Sequence, residues 1–140
     1  MQDEPALLSV CTTCRDGREK DTGARGGSRL AKAIHARLDE LIAAGATLRG
    51  VTCMSQCKRP CIVSLCQDER FTYVFGDLDP ERPEHIDALL DLVARYKEAP
   101  EGFLGRTDRP EPLRANILGR FPPTRSASLL VTHLDPIAAE

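Results

Sequence analysis

The pattern that most restricts the fold of this chain is a pair of apolar runs, residues 6–11 and 46–53, each of which ends at a cysteine. Between them, residues 28–45 carry apolar side chains at the three- and four-residue spacing of an amphipathic helix. A strand, a helix and a second strand in this order favour a right-handed crossover between parallel strands. Because parallel strands end at the same edge of a sheet, the cysteines at the two strand ends are predicted to lie close together.

Two helices are predicted, and their ends carry typical signals. Ser28 is a favoured N-cap residue for the first helix, and Gly45 is a favoured C′ residue at its end. Residues 79–100 again place apolar side chains at helical spacing, behind a start that is rich in acidic residues and proline. The second helix is therefore predicted within this range.

Two further runs complete the predicted sheet. Residues 61–67 and 71–78 are rich in β-branched and aromatic residues and are joined by a short polar link, which predicts an antiparallel hairpin. The order β-α-β-β-β-α then predicts an α/β domain over residues 1–99, with a thioredoxin-like mixed sheet and helices. Residues 100–140 hold six of the ten prolines and are predicted to form a Pro-rich C-terminal extension, with a short helix within residues 112–121.

The composition argues against several functional classes. The formal net charge of −2 and the absence of tryptophan do not fit a general nucleic-acid-binding protein. No segment approaches the ~18 apolar residues of a membrane span, and the acidic start does not resemble a signal peptide. A cytoplasmic location is therefore predicted, where a cysteine cluster is more often metal-binding or catalytic than a disulfide framework.

Five of the six cysteines fall into two clusters. Cys11 and Cys14 belong to "CTTC", and Cys53, Cys57 and Cys61 belong to "CMSQCKRPC". Each cluster follows one of the two parallel strands. Cys11, Cys14, Cys53 and Cys57 are therefore predicted to form a four-thiolate site for a metal ion or cluster, with Cys61 as a reserve ligand.

Three chemistries suit such a set of thiols. A [2Fe–2S] cluster takes four thiolates, and the turn over residues 54–56 is placed to aim backbone N–H groups at its sulfides. Zinc also accepts four thiolates, although Cys14 and Cys53 are much further apart than the two cysteine pairs of a zinc ribbon. A redox dithiol at "CTTC" is the third chemistry, but a polar loop separates this motif from the helix that would activate it.

The spacing also resembles that of a known class of proteins. C-x2-C before a helix and C-x3-C at the end of the second strand are similar to the motifs of thioredoxin-like [2Fe–2S] ferredoxins. The same cysteine motifs are also similar to those of the cluster subunit of bacterial NADH dehydrogenase, which shares the fold of these ferredoxins. In those families the first pair is spaced more widely than in "CTTC". The resemblance implies a [2Fe–2S] cluster as cofactor.

Longer segments resemble the DUF1636 family of metal-binding proteins. They are "VCTTCR", "VTCMSQCKRPCIVSL", "FTYVFGDLDP" and "LRANILGRFPP", and together they extend from about Leu8 to Pro123. The third cysteine of "CMSQCKRPC" is part of this resemblance. Membership of this family implies metal binding and a link to cobalamin metabolism.

The leading functional prediction is a small ferredoxin-like protein that passes single electrons to a redox partner protein and catalyses no reaction itself. The alternative is a non-redox protein that binds zinc or another divalent ion as a carrier or structural module. Five cations are predicted to surround the cysteines: Arg15, Arg18, Arg25, Lys58 and Arg59. They either offset thiolate charge, form a docking patch for an acidic redox partner, or are ordinary solvated charges. A homodimer is a further expectation, whereas no nucleic acid or membrane partner is expected.

Overall fold

Strand β1, Ala6–Cys11, is the strand around which the sheet is organised. It pairs in parallel with β2, Ala46–Val51, and antiparallel with β3, Val63–Cys66. Antiparallel pairing continues outward through β4, Thr72–Phe75, to β5, Ile117–Phe121, which gives the strand order β2-β1-β3-β4-β5. The parallel pair, the antiparallel hairpin and the thioredoxin-like fold predicted from the sequence are confirmed.

The computed structural model describes residues 4–134, which include four α-helices. These are α1, Glu19–Thr22, α2, Gly26–His35, α3, Leu38–Ala44, and α4, Pro83–Glu98. Within this part of the chain, no helix combines the length and the apolar character needed to cross a lipid bilayer.

The single helix predicted for residues 28–45 is wrong, because the structure divides it into α2 and α3. Arg37 leaves the helical conformation, with φ −120° and ψ 32°, and its guanidinium pairs with Glu40 and with Asp87 of α4. Ser28 is not the N-cap, because α2 already begins at Gly26. Gly45 does end α3, with a left-handed φ of 116° that favours glycine.

The main core lies between the helices and one face of the sheet. Side chains that alternate along the strands, such as Leu8, Val10 and Tyr73, pack there with Ile34 of α2 and Leu92 of α4. A second, smaller cluster of buried side chains consists of Cys11, Cys14 and Ile62. Because successive residues of a strand point to opposite faces, the Cys11 side chain lies on the opposite face of the sheet from Val10.

The C-terminal part of the chain returns to the sheet. It makes three 3₁₀ turns and then forms β5, which pairs with β4. The helix predicted within residues 112–121 is limited to the turn at Glu111–Leu113, and the residues from Ile117 onward are a strand. Pairing with β4 supplies the hydrogen bonds that a helix there would have made internally. The boundary between a domain at 1–99 and an extension at 100–140 stays a prediction, and residues 135–140 lie outside the described chain.

Candidate metal centre

One cavity of about 220 Å³ is lined by Cys11, Cys14, Cys53 and Cys57. We call it the cysteine cavity. It lies at the carboxyl ends of the parallel strands β1 and β2, where the sequence placed the site. The other lining residues are Thr13, Arg15, Arg25, Met54, Ser55 and Gln56.

The first cysteine pair is held in place by backbone contacts. Cys11 is the last residue of β1, and its N–H donates to the carbonyl oxygen of Ile62 at 3.0 Å. The carbonyl oxygen of Cys14 accepts a hydrogen bond of 3.0 Å from the N–H of Gly27, in the first turn of α2. The loop between the cysteines is thereby fixed between the sheet edge and the start of this helix.

The hydrogen bond between Gly27 and Cys14 brings "CTTC" and α2 closer together than the sequence predicts. The polar loop after Cys14 was expected to keep the motif away from the helix. In the structure the loop folds back, so the N-terminus of α2 lies against the backbone of Cys14. The positive end of the helix dipole is therefore close to the "CTTC" segment.

The second cysteine pair lies in a turn with an unusual backbone. Cys53 has a φ of 67° and Ser55 a φ of 60°, and both are non-glycine residues in the left-handed region. Such conformations cost about 1–3 kcal/mol each and tend to cluster at functional sites. The backbone N–H of Met54, between them, is close enough to the Cys11 thiol to help lower its pKa. The two cysteine clusters are thus close to each other at this turn.

The two buried thiols of the cavity titrate differently. Burial raises the pKa of Cys11, but hydrogen bonds from the Cys14 thiol and from the N–H groups of Thr13 and Met54 outweigh it and lower the pKa to about 7. Burial raises the pKa of Cys14, and its hydrogen bond with Cys11 adds to this effect. Near neutral pH the pair therefore supplies one thiolate readily, which is the form that binds a metal.

The other two thiols are exposed to solvent. Among residues 4–134, no three Cys, His, Asp or Glu side chains are already gathered closely enough to hold a metal ion. Cys53 and Cys57 nevertheless line the same cavity as the buried pair. Four thiols around one cavity are the ligand set that iron–sulfur clusters and zinc use, so the chemistry of these residues fits either group.

Cys61, the predicted reserve ligand, is placed behind the cavity rather than among its lining residues. It is 1% exposed, and its pKa is raised to about 12, chiefly by burial and then by the negative charge of Asp16. Its φ of 61° turns the chain into β3. Cys66 lies at the far end of β3, opposite Leu7 of β1. The structure therefore places Cys66 away from the other four thiols, whereas Cys61 is close enough to Cys14 to interact with it but does not line the cavity.

A network of ion pairs holds the loop after Cys14, and sequence reasoning missed it. Asp16 accepts two hydrogen bonds of 2.5 Å from Arg29 of α2, and both side chains are largely buried. Arg29 also pairs with Glu81 at 2.6 Å. Arg18 pairs with Asp79 at 2.7 Å. No local spacing in the sequence could indicate these pairs, because the partners come from segments up to 61 residues apart.

Replacement of Asp16 by asparagine should destabilise the fold in a way that depends on pH. Burial raises the pKa of Asp16, but the N–H of Arg18 and the guanidinium of Arg29 lower it below its ordinary value. We expect Asp16→Asn to lose about 1–3 kcal/mol at pH 6, the range for a hydrogen-bonded charge. The difference in unfolding free energy should be fully present above the pKa of Asp16 in the unfolded chain, about 4. It should vanish as the pH falls through the lower pKa of Asp16 in the folded protein.

Urea unfolding of both proteins at pH 6 and pH 3 measures this difference. Other carboxylates with lowered pKa, such as Glu19 and Glu101, make both proteins less stable in acid. The difference in unfolding free energy between wild type and Asp16→Asn at each pH therefore isolates the contribution of the Asp16 charge. An equal gap in unfolding free energy at the two pH values would show that the Asp16 charge does not hold the loop.

Three cations at or near the cavity have no carboxylate partner among the described residues, although Arg25 donates to the carbonyl oxygen of Thr13 at 3.0 Å. Arg15 and Arg25 line the cavity, and among the described residues neither forms a salt bridge. Lys58, next to Cys57, is exposed and equally unpaired there. Arg59, in contrast, pairs with Asp77. No carboxylate of the described residues lines the cavity.

The sheet order and the cysteine cavity define an α/β protein of the thioredoxin-like class that carries four cysteines at the ends of two parallel strands. A family model matches residues 8–123, and the chain belongs to this family, DUF1636, which is described as "protein of unknown function". No curated protein matches the sequence.

Two solved structures are similar to the chain. One is described as a thioredoxin-like [2Fe–2S] ferredoxin from Aquifex aeolicus, and it is 18% identical with a TM-score of 0.52. The alignment covers 87% of this chain and 98% of that one. The other is described as the wild-type thioredoxin-like [2Fe–2S] ferredoxin from the same organism, with 18% identity, a TM-score of 0.45, and coverage of 62% and 86%. The first similarity supports the thioredoxin-like fold.

Proposed function

We propose that this protein is a small electron carrier that holds a [2Fe–2S] cluster with Cys11, Cys14, Cys53 and Cys57. The observation that carries the proposal is that these four thiols, from two distant parts of the sequence, line one cavity. Such a cluster would supply the ability to accept and release one electron.

The residues around the buried thiols would support a charged cofactor. The backbone N–H groups of Thr13 and Met54 act to lower the pKa of Cys11, and those of Cys61 and Ile62 act in the same direction on Cys14. Hydrogen bonds to ligand sulfurs stabilise negative charge and tune the reduction potential. The chain therefore offers preformed donors to the buried half of the site.

The exposed half of the site would face a partner. Cys53 and Cys57 are open to solvent, and Arg15, Arg25 and Lys58 surround them with unpaired positive charge among the described residues. We propose that the redox partner protein presents an acidic surface to this rim. Complementary charges of this kind speed association and weaken with added salt. The homodimer and the cytoplasmic location stay predictions from the sequence.

A second candidate function is thiol–disulfide exchange at Cys11 and Cys14. The observation in its favour is that the two thiols line one cavity next to the N-terminus of α2, with the pKa of Cys11 lowered to about 7 partly by its interaction with Cys14. Binding of zinc or another divalent ion by the same four thiols is the non-redox alternative. A role in cobalamin metabolism is proposed only from the family resemblance.

One experiment separates these functions. The full chain is purified without oxygen, its visible spectrum is recorded before and after reduction, and iron, sulfide and zinc are measured. About two irons and two sulfides per chain with a reducible visible spectrum support the proposal. Colourless protein with one zinc contradicts it in favour of the non-redox alternative. Colourless, metal-free protein with a reducible Cys11–Cys14 bond contradicts it in favour of thiol–disulfide exchange.

A further inference from the structure

Four arginines lie close together in a part of the fold that the cysteine cavity does not involve. They are Arg106, Arg109, Arg114 and Arg120, on the 3₁₀ turns and on β5, and we call them the arginine cluster. Within residues 4–134, none of them forms a salt bridge. The nearby acidic residues Asp108 and Glu111 are exposed and pair with none of the four.

Arg109 is the most unusual member of the arginine cluster. Its residue is only 5% exposed, although a guanidinium is charged at every physiological pH. Its Nη1 donates to the carbonyl oxygen of Leu104 at 3.0 Å. Its Nε is shielded from solvent and, among the described residues, has no hydrogen-bond partner. A buried cation with an unused donor and no counter-charge is unfavourable unless something else neutralises it.

Arg120 brings a second positive charge to the same place. Its guanidinium lies over the ring of Phe103, 4.6 Å from the centroid, and its Nη1 is 3.4 Å from the carbonyl oxygen of Leu104. The hydroxyl of Tyr73 donates to the same oxygen at 3.3 Å. The carbonyl oxygen of Leu104, a neutral group, thus accepts from Arg109, Arg120 and Tyr73. The two guanidinium groups are therefore close neighbours, and no carboxylate of the described residues pairs with either.

The local electrostatics agree with this geometry. The pKa of Arg109 is lowered, first by burial and then by the positive charges of Arg120, Arg106 and Arg114, whereas Tyr73 opposes the shift. Arg114 is tied to the same loop, because it donates to the carbonyl oxygen of Arg109 at 3.0 Å and to that of Thr107 at 3.1 Å. These hydrogen bonds from the Arg114 side chain to backbone oxygens therefore hold its positive charge close to that of Arg109.

We propose that the arginine cluster is a binding site for a small phosphate-type oxyanion, with Arg109 and Arg120 as its principal donors. Guanidinium groups match phosphate oxygens in charge and geometry, and several of them around one anion are a recurrent recognition arrangement. Arg106 is exposed, and among the described residues its side chain forms no hydrogen bond or salt bridge, so it is available to an anion arriving from solvent. This site does not depend on the proposed function of the cysteine cavity.

The test is titration of the full chain with inorganic phosphate by isothermal titration calorimetry, at constant ionic strength set with chloride. We expect saturable binding of about one phosphate per chain. Arg106→Gln should weaken it several-fold and Arg120→Gln at least tenfold. Arg82→Gln, which removes an exposed positive charge that belongs neither to the arginine cluster nor to the cysteine cavity, is the matched control and should bind phosphate like the wild type.

Thermal unfolding keeps the test informative if Arg120→Gln folds poorly. Phosphate should raise the Tm of the wild type and of Arg82→Gln more than an equal ionic strength of chloride does, because a ligand of the folded state stabilises it. Arg106→Gln, whose side chain is exposed, should show a smaller rise. Absence of saturable binding to the wild type, or an equal response of Arg106→Gln and Arg82→Gln, would overturn the proposal.

Discussion

If the proposed [2Fe–2S] site is correct, Cys57→Ala should lower the iron and sulfide content of protein purified without oxygen to a tenth of the wild-type content or less. Cys57 is exposed, so the truncation takes no side chain out of the core. The folded apoprotein should therefore keep its unfolding free energy within about 0.5 kcal/mol. Loss of one of four thiolates leaves an iron without a ligand, which is why the effect on cofactor content should be large.

Two further cysteine variants make this result specific. Cys66→Ala removes a half-buried thiol at the opposite end of β3 and should keep full iron content. Cys61→Ala should also keep it, because that thiol is buried behind the cavity with its pKa raised to about 12. The measurements are iron and sulfide per chain and the visible spectrum. Iron retained by Cys57→Ala but lost from Cys61→Ala would show that the fourth ligand is Cys61.

Gly27→Ala should destabilise the fold by about 3 kcal/mol or more, which is the upper range for overpacking a closed site. A Cβ at Gly27 would clash directly with the carbonyl oxygen of Cys11 and lie 3.0 Å from the amide nitrogen of Cys14. Both are backbone atoms of the first cysteine pair, so they cannot turn aside as a flexible side chain would. An alanine inside a helix is ordinarily more favourable than glycine by about 0.5–1 kcal/mol, so the expected sign is reversed here.

Gly105→Ala is the matched control for this substitution. Gly105 has a φ of −68°, which any residue adopts, and its nearest atom to a new Cβ is an Asp108 oxygen at 3.5 Å. The unfolding free energy of Gly105→Ala should differ from that of the wild type by less than about 0.5 kcal/mol. Urea unfolding of the three apoproteins, with far-ultraviolet circular dichroism as the readout, measures both changes. Similar stability of Gly27→Ala and wild type would mean that α2 does not contact the cysteine loop as closely as described.

Much of the architecture could be predicted because its determinants are local. The apolar runs that became β1 and β2 are separated by a periodic helical segment, and this order alone indicates parallel pairing. From that pairing the meeting of Cys11 and Cys14 with Cys53 and Cys57 at one cavity follows as geometry. The hairpin of β3 and β4 was predictable for the same reason, since its strands and link are adjacent in sequence.

The features that escaped prediction depend on contacts between distant segments. The break at Arg37 accompanies its pairing with Asp87, 50 residues away. Strand β5 forms because Ile117–Phe121 find the free edge of β4, and nothing in "ILGRF" alone excludes a helical turn. The burial of Cys61 depends on a left-handed backbone conformation, which no local signal in "KRPC" demands.

The position of β2 has a further consequence for how cofactor content and folding are related. As the outer strand of the sheet in residues 4–134, β2 pairs there with β1 alone, and the cysteines at their ends are separated by all of α1, α2 and α3. A group bound by both cysteine pairs would act as a cross-link that closes this long segment into a loop. Closing long loops restricts the unfolded chain most strongly. Loss of the cofactor would then free the edge strand first, so the apoprotein should lose order from this edge of the sheet.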